Sequence, residues 1–257
     1  MNTPELTLTD PEGVRLALLS DDEDIRAQFA THLGAELDRL VGVLAHCFEW
    51  MAPITEAADH VGTQQTALAA GFGLGTLDDL LVATKLLLAG KLAAAGNVMR
   101  QVIEGIAMSI LCAADGELIL EYRKKSGAVR GCYWERAWRS DPSVQAHHAL
   151  KQLDWNAAQL GVLPQAVEVL ARSKKHYNQF SHCGWATIAS RAVRNTPGLV
   201  YLGGHFDEGK LDVYRDEMQQ RIGLCRVLPR VLDHHVLSMM APAAGEEIAA
   251  ANPPNPA

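Results

Sequence analysis

The sequence predicts an all-α fold: one helical bundle spanning residues 20–240, with six to seven helices around a central antiparallel hairpin at about 76–114. Three observations predict it. Apolar residues recur three or four apart through 25–51 and again through 211–239, the spacing that puts them on one helix face. The 23 residues of Leu92–Ala114 carry only two charges, Arg100 and Glu104, so a helix there is apolar nearly all round and belongs in a core. Apart from Leu199–Leu202, no segment reads as a strand, which leaves at most one short strand or hairpin near 199–206.

Residues 1–19 hold two prolines and are expected to form a loosely ordered arm. Ser20-Asp21-Asp22-Glu23 has the form of a capping box, which satisfies free amides at a helix start. The helix it opens carries the stripe Ile25, Phe29, Leu33, Leu37, Leu40, Leu44, Phe48 and Met51, and Pro53 is expected to end it. A short helix at Glu56–His60 and a flexible break at Gly71–Gly75 (GFGLG) come next. No strand precedes these glycines, so they do not make a phosphate loop. Thr76 is read as the cap of the next helix, with Asp78 and Asp79 complementing its dipole. Gly90 turns the chain back into the central helix.

Asp115–Pro142 interleaves Arg123, Lys124, Lys125, Arg130, Arg136 and Arg139 with Tyr122, Tyr133, Trp134 and Trp138. It is expected to be a solvated helix with aromatic anchors; a stacking platform for single-stranded nucleic acid is the competing reading. Ser143–Leu160 reads as a helix, and Gly161–Pro164 breaks it. A further helix runs from Pro164, which suits a first helical position, to Cys183, with Gly184 as its stop. Leu211–Met239 is the last long helix, kinked at Pro229. The segment from Ala241 is low in complexity and expected to be disordered.

Composition excludes some functions. The net charge of −7 gives no global attraction to nucleic acid or to an anionic membrane. The central stretch is long enough to cross a bilayer, but Arg100 and Glu104 sit at its middle, where charge is costly in lipid, so no membrane association is expected. The N-terminus has no apolar run of the secretory kind. The five cysteines, Cys47, Cys112, Cys132, Cys183 and Cys225, form no C-x-x-C pair, which fits reduced thiols in a cytosol. Ten histidines are present, yet there is neither Glu-x-x-His nor His-Glu-x-x-His, and no cofactor or metal is expected.

Two polar features remain. Arg100 and Glu104 are four apart and share a helix face, so they form either a structural ion pair or the floor of an anion pocket. Residues 172–184 place Arg172, His176, Gln179 and Cys183 along one stripe, with Leu170, Tyr177 and Phe180 facing inward. Ser181 and His182 would lie at the helix end, where His182 has the chemistry of a general acid or base.

The segment LLLAGKLAAAGNVMRQVIEGIAMSILCA, followed by Tyr177, Phe180-Ser181 and His182 and by Tyr201–Gly204 (YLGG), resembles a group of uncharacterised bacterial helical proteins similar to the HEPN-like superfamily. Many HEPN-like proteins are ribonucleases or partners in toxin–antitoxin and phage-defence systems. The resemblance implies a helical fold. It also implies, as one reading, a metal-independent ribonuclease, with His182 as general acid/base and Lys175 or Arg100 stabilising the phosphorane charge. The sequence departs from the nuclease pattern of an Arg and a His on one helix with four to six residues between them. Arg172-x-x-x-His176 has only three between, and Lys175 and His182 have six between but with Lys in place of Arg. The leading expectation is therefore a non-enzymatic binding module. Its pocket comprises Arg100, Glu104, Tyr177, Ser181 and His182, and its partner is a protein, an RNA or an anionic ligand. Homodimerisation is open.

Overall fold

The computed structural model describes residues 9–125, 127–194, 196 and 198–240. It is an all-α bundle with one small hairpin. The elements are α1 (Pro11–Leu19), α2 (Glu23–Phe48), α3 (Met51–Val61), α4 (Gln64–Leu88), α5 (Leu92–Ala113), β1 (Glu117–Arg123), β2 (Gly127–Cys132), α6 (Tyr133–Trp138), α7 (Ala146–Asn156), α8 (Pro164–Tyr177), α9 (Trp185–Arg191) and α10 (Leu211–Met240). The expected disorder after Ala241 lies outside the described residues.

The bundle is organised around α5. Its side chains from Val102 to Ala113 are almost all buried, and it packs against α4, α6, α7, α8, α9 and α10. The α4–α5 turn follows from Gly90. Its φ of +70° lets the Gly90 N–H reach Leu87 O and the Lys91 N–H reach Leu86 O, both at 2.9 Å. That satisfies the last carbonyls of α4 and reverses the chain. α2 and α10 pack together outside the hairpin, joined at one end by Phe29, Phe206 and Tyr214, whose rings lie 4.8–5.4 Å apart.

Several expectations are corrected. GFGLG is not a break: α4 runs through it from a start at Gln64. A glycine inside a helix costs about 1 kcal/mol relative to alanine, and close packing offsets that here. A Cβ on Gly73 would sit 3.2 Å from His235 Nε2 on α10, and one on Gly105 of α5 would sit 2.6 Å from Thr76 Oγ1. Thr76 is therefore interior and buried, donating to Phe72 O at 2.9 Å, while Thr63 caps α4 through Thr66. The Ser20–Glu23 capping box does not form. Ser20 ends α1 by donating to Ala17 O, and Asp21 accepts from the Glu23 N–H. Part of the expected arm is α1 itself, capped by Asp10 accepting from Gly13 N–H. Pro53 lies in the first turn of α3, after α2 has already ended at Phe48.

The largest correction concerns Asp115–Pro142, which is a β-hairpin followed by one short helix. The buried run Leu118–Leu120 packs inward, and α7 supplies the hydrogen bonds that a two-stranded ribbon lacks. Asn156 accepts from Ile119 N–H (2.8 Å) and donates to Ile119 O (2.9 Å). The ladder bulges between Ile119 and Glu121, and Gln152 Nε2 donates to the freed Leu120 O at 2.8 Å. At 199–206 the expected strand is reduced to an isolated bridge between Ala192 and Val200. Among the described residues, α4 rather than α5 is the helix long and apolar enough to cross a membrane by length and composition. Pro229, expected to kink the last helix, lies inside α10, which runs from Leu211 to Met240.

Candidate functional site

Arg100 and Glu104 meet as expected, with Arg100 Nε donating to Glu104 Oε1 at 3.1 Å. Lys174 of α8 adds a second cation 3.3 Å from the same oxygen. The group lies at the edge of the bundle and keeps partial solvent contact. Such pairs contribute about 0–1 kcal/mol. The other predicted residues do not join it. Lys175 and His182 are exposed. α8 ends at Tyr177 and passes into a 3-10 turn, Asn178–Phe180, so the stripe drawn through Cys183 is broken. Gly184 opens α9 rather than stopping α8. The Ser181 hydroxyl is buried without a hydrogen-bond partner among the described residues. Tyr177 and Phe180 do pack inward, as expected.

Tyr177 points to a different cluster. On α10, Arg221 is fully buried, and its Nη1 donates to Glu217 Oε2 at 2.6 Å and to Tyr177 Oη at 3.4 Å. His176 Nε2 lies 2.7 Å from the other Glu217 oxygen. Burial works against the Glu217 charge, but the Arg221 charge and the hydrogen bonds from His176 and Arg221 outweigh it, so the carboxyl is held below its usual range. Burial pushes the Tyr177 phenol up against the pull of Arg221, and the nearby Glu217 charge adds to the rise. Arg221 Nε and Nη2 have no partner among the described residues.

Sequence reasoning missed this cluster. Glu217 and Arg221 have the same i, i+4 spacing as Arg100 and Glu104, but they stand among Arg215, Asp216, Gln219 and Gln220 and so look like a solvated face. The available signal was their place beside the apolar stripe of Tyr214, Met218 and Ile222.

His176 and Glu217 form one wall of a cavity of about 500 Å³ between α5, α8, α9 and α10. Leu92, Phe180, Ile188 and Val213 make it largely apolar. Trp185, 82% exposed, stands at the mouth, and the buried Lys210 lines the same space. A mainly apolar cavity with a few converging polar groups is the usual form of a small-molecule site. Among the described residues no group of three or more His, Cys, Asp or Glu side chains is placed to hold a metal ion. No family model, curated protein or solved structure matches this chain, so the HEPN-like resemblance stands on its quoted residues alone.

Proposed function

We propose that this chain is a binding module for a small, mainly apolar molecule that enters the α5–α8–α9–α10 cavity and is read at its polar end by His176 and Glu217. The observation that carries this reading is the pairing of a half-open apolar cavity with a carboxylate locked by a buried arginine. Arg221 takes Glu217 Oε2, His176 takes Oε1, and the imidazole is thereby fixed at the cavity wall. Rigid placement lowers the ordering cost of binding. The ribonuclease alternative has no geometric observation favouring it, because the exposed His182 and Lys175 side chains engage no hydrogen bond among the described residues.

Toluene and benzyl alcohol are probes that differ by one hydroxyl. In a titration followed by the Trp185 indole N–H resonance, both should shift that signal saturably. Benzyl alcohol should bind up to about tenfold more tightly, the worth of one hydrogen bond, and His176→Phe should remove that advantage. Equal affinity for the two probes would overturn the polar readout, and no shift from either would overturn the cavity reading.

A further inference from the structure

The cavity holds an amine that the binding reading does not use. Lys210 stands at the start of α10 with its side chain only 7% exposed. Its Nζ lies 2.9 Å from Ser190 O and 3.2 Å from His205 Nε2, while Asp207 is farther off at 3.9 Å. A neutral amine has two hydrogens and one lone pair. Ser190 O and His205 Nε2 can take two hydrogens, which leaves the remaining position on Nζ without a partner inside hydrogen-bond distance among the described residues, beside the cavity that Lys210 lines. Burial lowers the Lys210 pKa, and the Arg194 charge adds to that against the pull of Asp207. Burial, reinforced by the Lys210 charge, also lowers His205 to about 4, so His205 presents a neutral ring whose Nε2 can accept a hydrogen bond from Lys210.

His205 is held in place by close backbone packing. A Cβ on Gly90 would overlap the His205 backbone, and one on Gly204 would overlap Ala89 O, so the Gly203-Gly204-His205 segment seats directly on the α4–α5 turn. Tyr201 stacks on the His205 ring at 3.9 Å and 14°. A nucleophile within hydrogen-bond reach of a base that is itself fixed by a third group is the arrangement of an activated side chain.

We propose that Lys210 is an imine-forming nucleophile for a carbonyl-bearing ligand of this cavity. The proposal rests on the cavity reading above and names the ligand class. In the reaction, the Nζ lone pair attacks the carbonyl carbon and the π pair moves to oxygen. His205 relays a proton from nitrogen to that oxygen. The remaining N–H proton then passes by way of His205 to the hydroxyl, which leaves as water as the C=N bond forms, so that R–CHO and the amine give R–CH=N–Lys210 and H₂O.

The test treats the full chain with benzaldehyde and sodium cyanoborohydride, whose hydride reduces the imine irreversibly, and maps the label by peptide mass. The adduct adds the mass of the aldehyde less one oxygen atom. Each unit by which a lysine pKa falls raises its reactive neutral fraction about tenfold at neutral pH. Lys210 should therefore be labelled faster than Lys124, Lys125, Lys151 or Lys175, and excess benzyl alcohol should protect Lys210 alone. Label spread over the exposed lysines without preference would overturn the proposal. If benzyl alcohol still shifts the Trp185 resonance in that case, the cavity reading survives; if it does not, both readings fall. The wild-type map decides the question even where Lys210→Arg fails to fold.

Discussion

Two buried groups set the behaviour of single residues. Arg221 and Glu217 stabilise one another in a place where neither can be hydrated, so removing one leaves an uncompensated buried charge. Arg221→Leu should cost about 3–5 kcal/mol, whereas the double variant Arg221→Leu with Glu217→Leu should cost clearly less. A double-mutant cycle by urea unfolding checks this, and strictly additive losses would count against the coupling. His235 is the second case. It is fully buried, neither ring nitrogen has a partner among the described residues, and burial, with His234 adding to it, lowers its pKa to about 4. The unfolded chain, with an ordinary histidine near pH 6.5, binds more protons between those values. Stability should therefore be full above pH 6.5 and fall as the pH drops toward 4, by about 3 kcal/mol at most from this residue. His235→Leu should flatten the unfolding midpoint across that window; an unchanged slope would show that other groups carry it. Neither site was legible from residue spacing, because burial of a charged i, i+4 pair depends on which face of α10 meets α8 and α3.

At the scale of elements, the long stripes of α2 and α10 and the α4–α5 turn could be read directly, because periodicity and Gly90 encode them locally. The β-hairpin could not. Its stability comes from Asn156 and Gln152 on a helix 20 to 40 residues away in sequence, and no local pattern announces such hydrogen bonds. Asn156→Ala leaves the Ile119 N–H and C=O buried and unpaired. It should cost about 1–3 kcal/mol, and the amides of 117–132 should exchange faster than those of α5. Uniform loosening of both regions would contradict the local role. Gly73 of α4 shows the converse: GFGLG looks like a break, yet it is helix, and at Gly73 Ile54 and His235 come close to where a side chain would begin, while Gly71 and Gly75 meet open space.

For the whole molecule, the all-α bundle around a central hairpin is as expected, with more helices among the described residues than the six or seven anticipated, and the largely apolar cavity lies away from the Arg100–Glu104 pair. Glu104 is drawn to the bundle edge by Arg100 and Lys174. The half-open cavity forms between α5, α8, α9 and α10, and it takes its polar wall from His176 and Glu217. That arrangement depends on α8 ending at Tyr177, six residues earlier than the stripe through Cys183 suggests. The central claim is that this space receives a ligand, and filling it tests the claim most directly. Ala189 lines the cavity on α9. The measurement is the Trp185 indole N–H shift on titration with benzyl alcohol, in wild type and in a folded Ala189→Phe variant. A saturable shift in wild type that disappears in Ala189→Phe is the predicted result. Equal binding by both proteins would place the probe elsewhere and contradict the account.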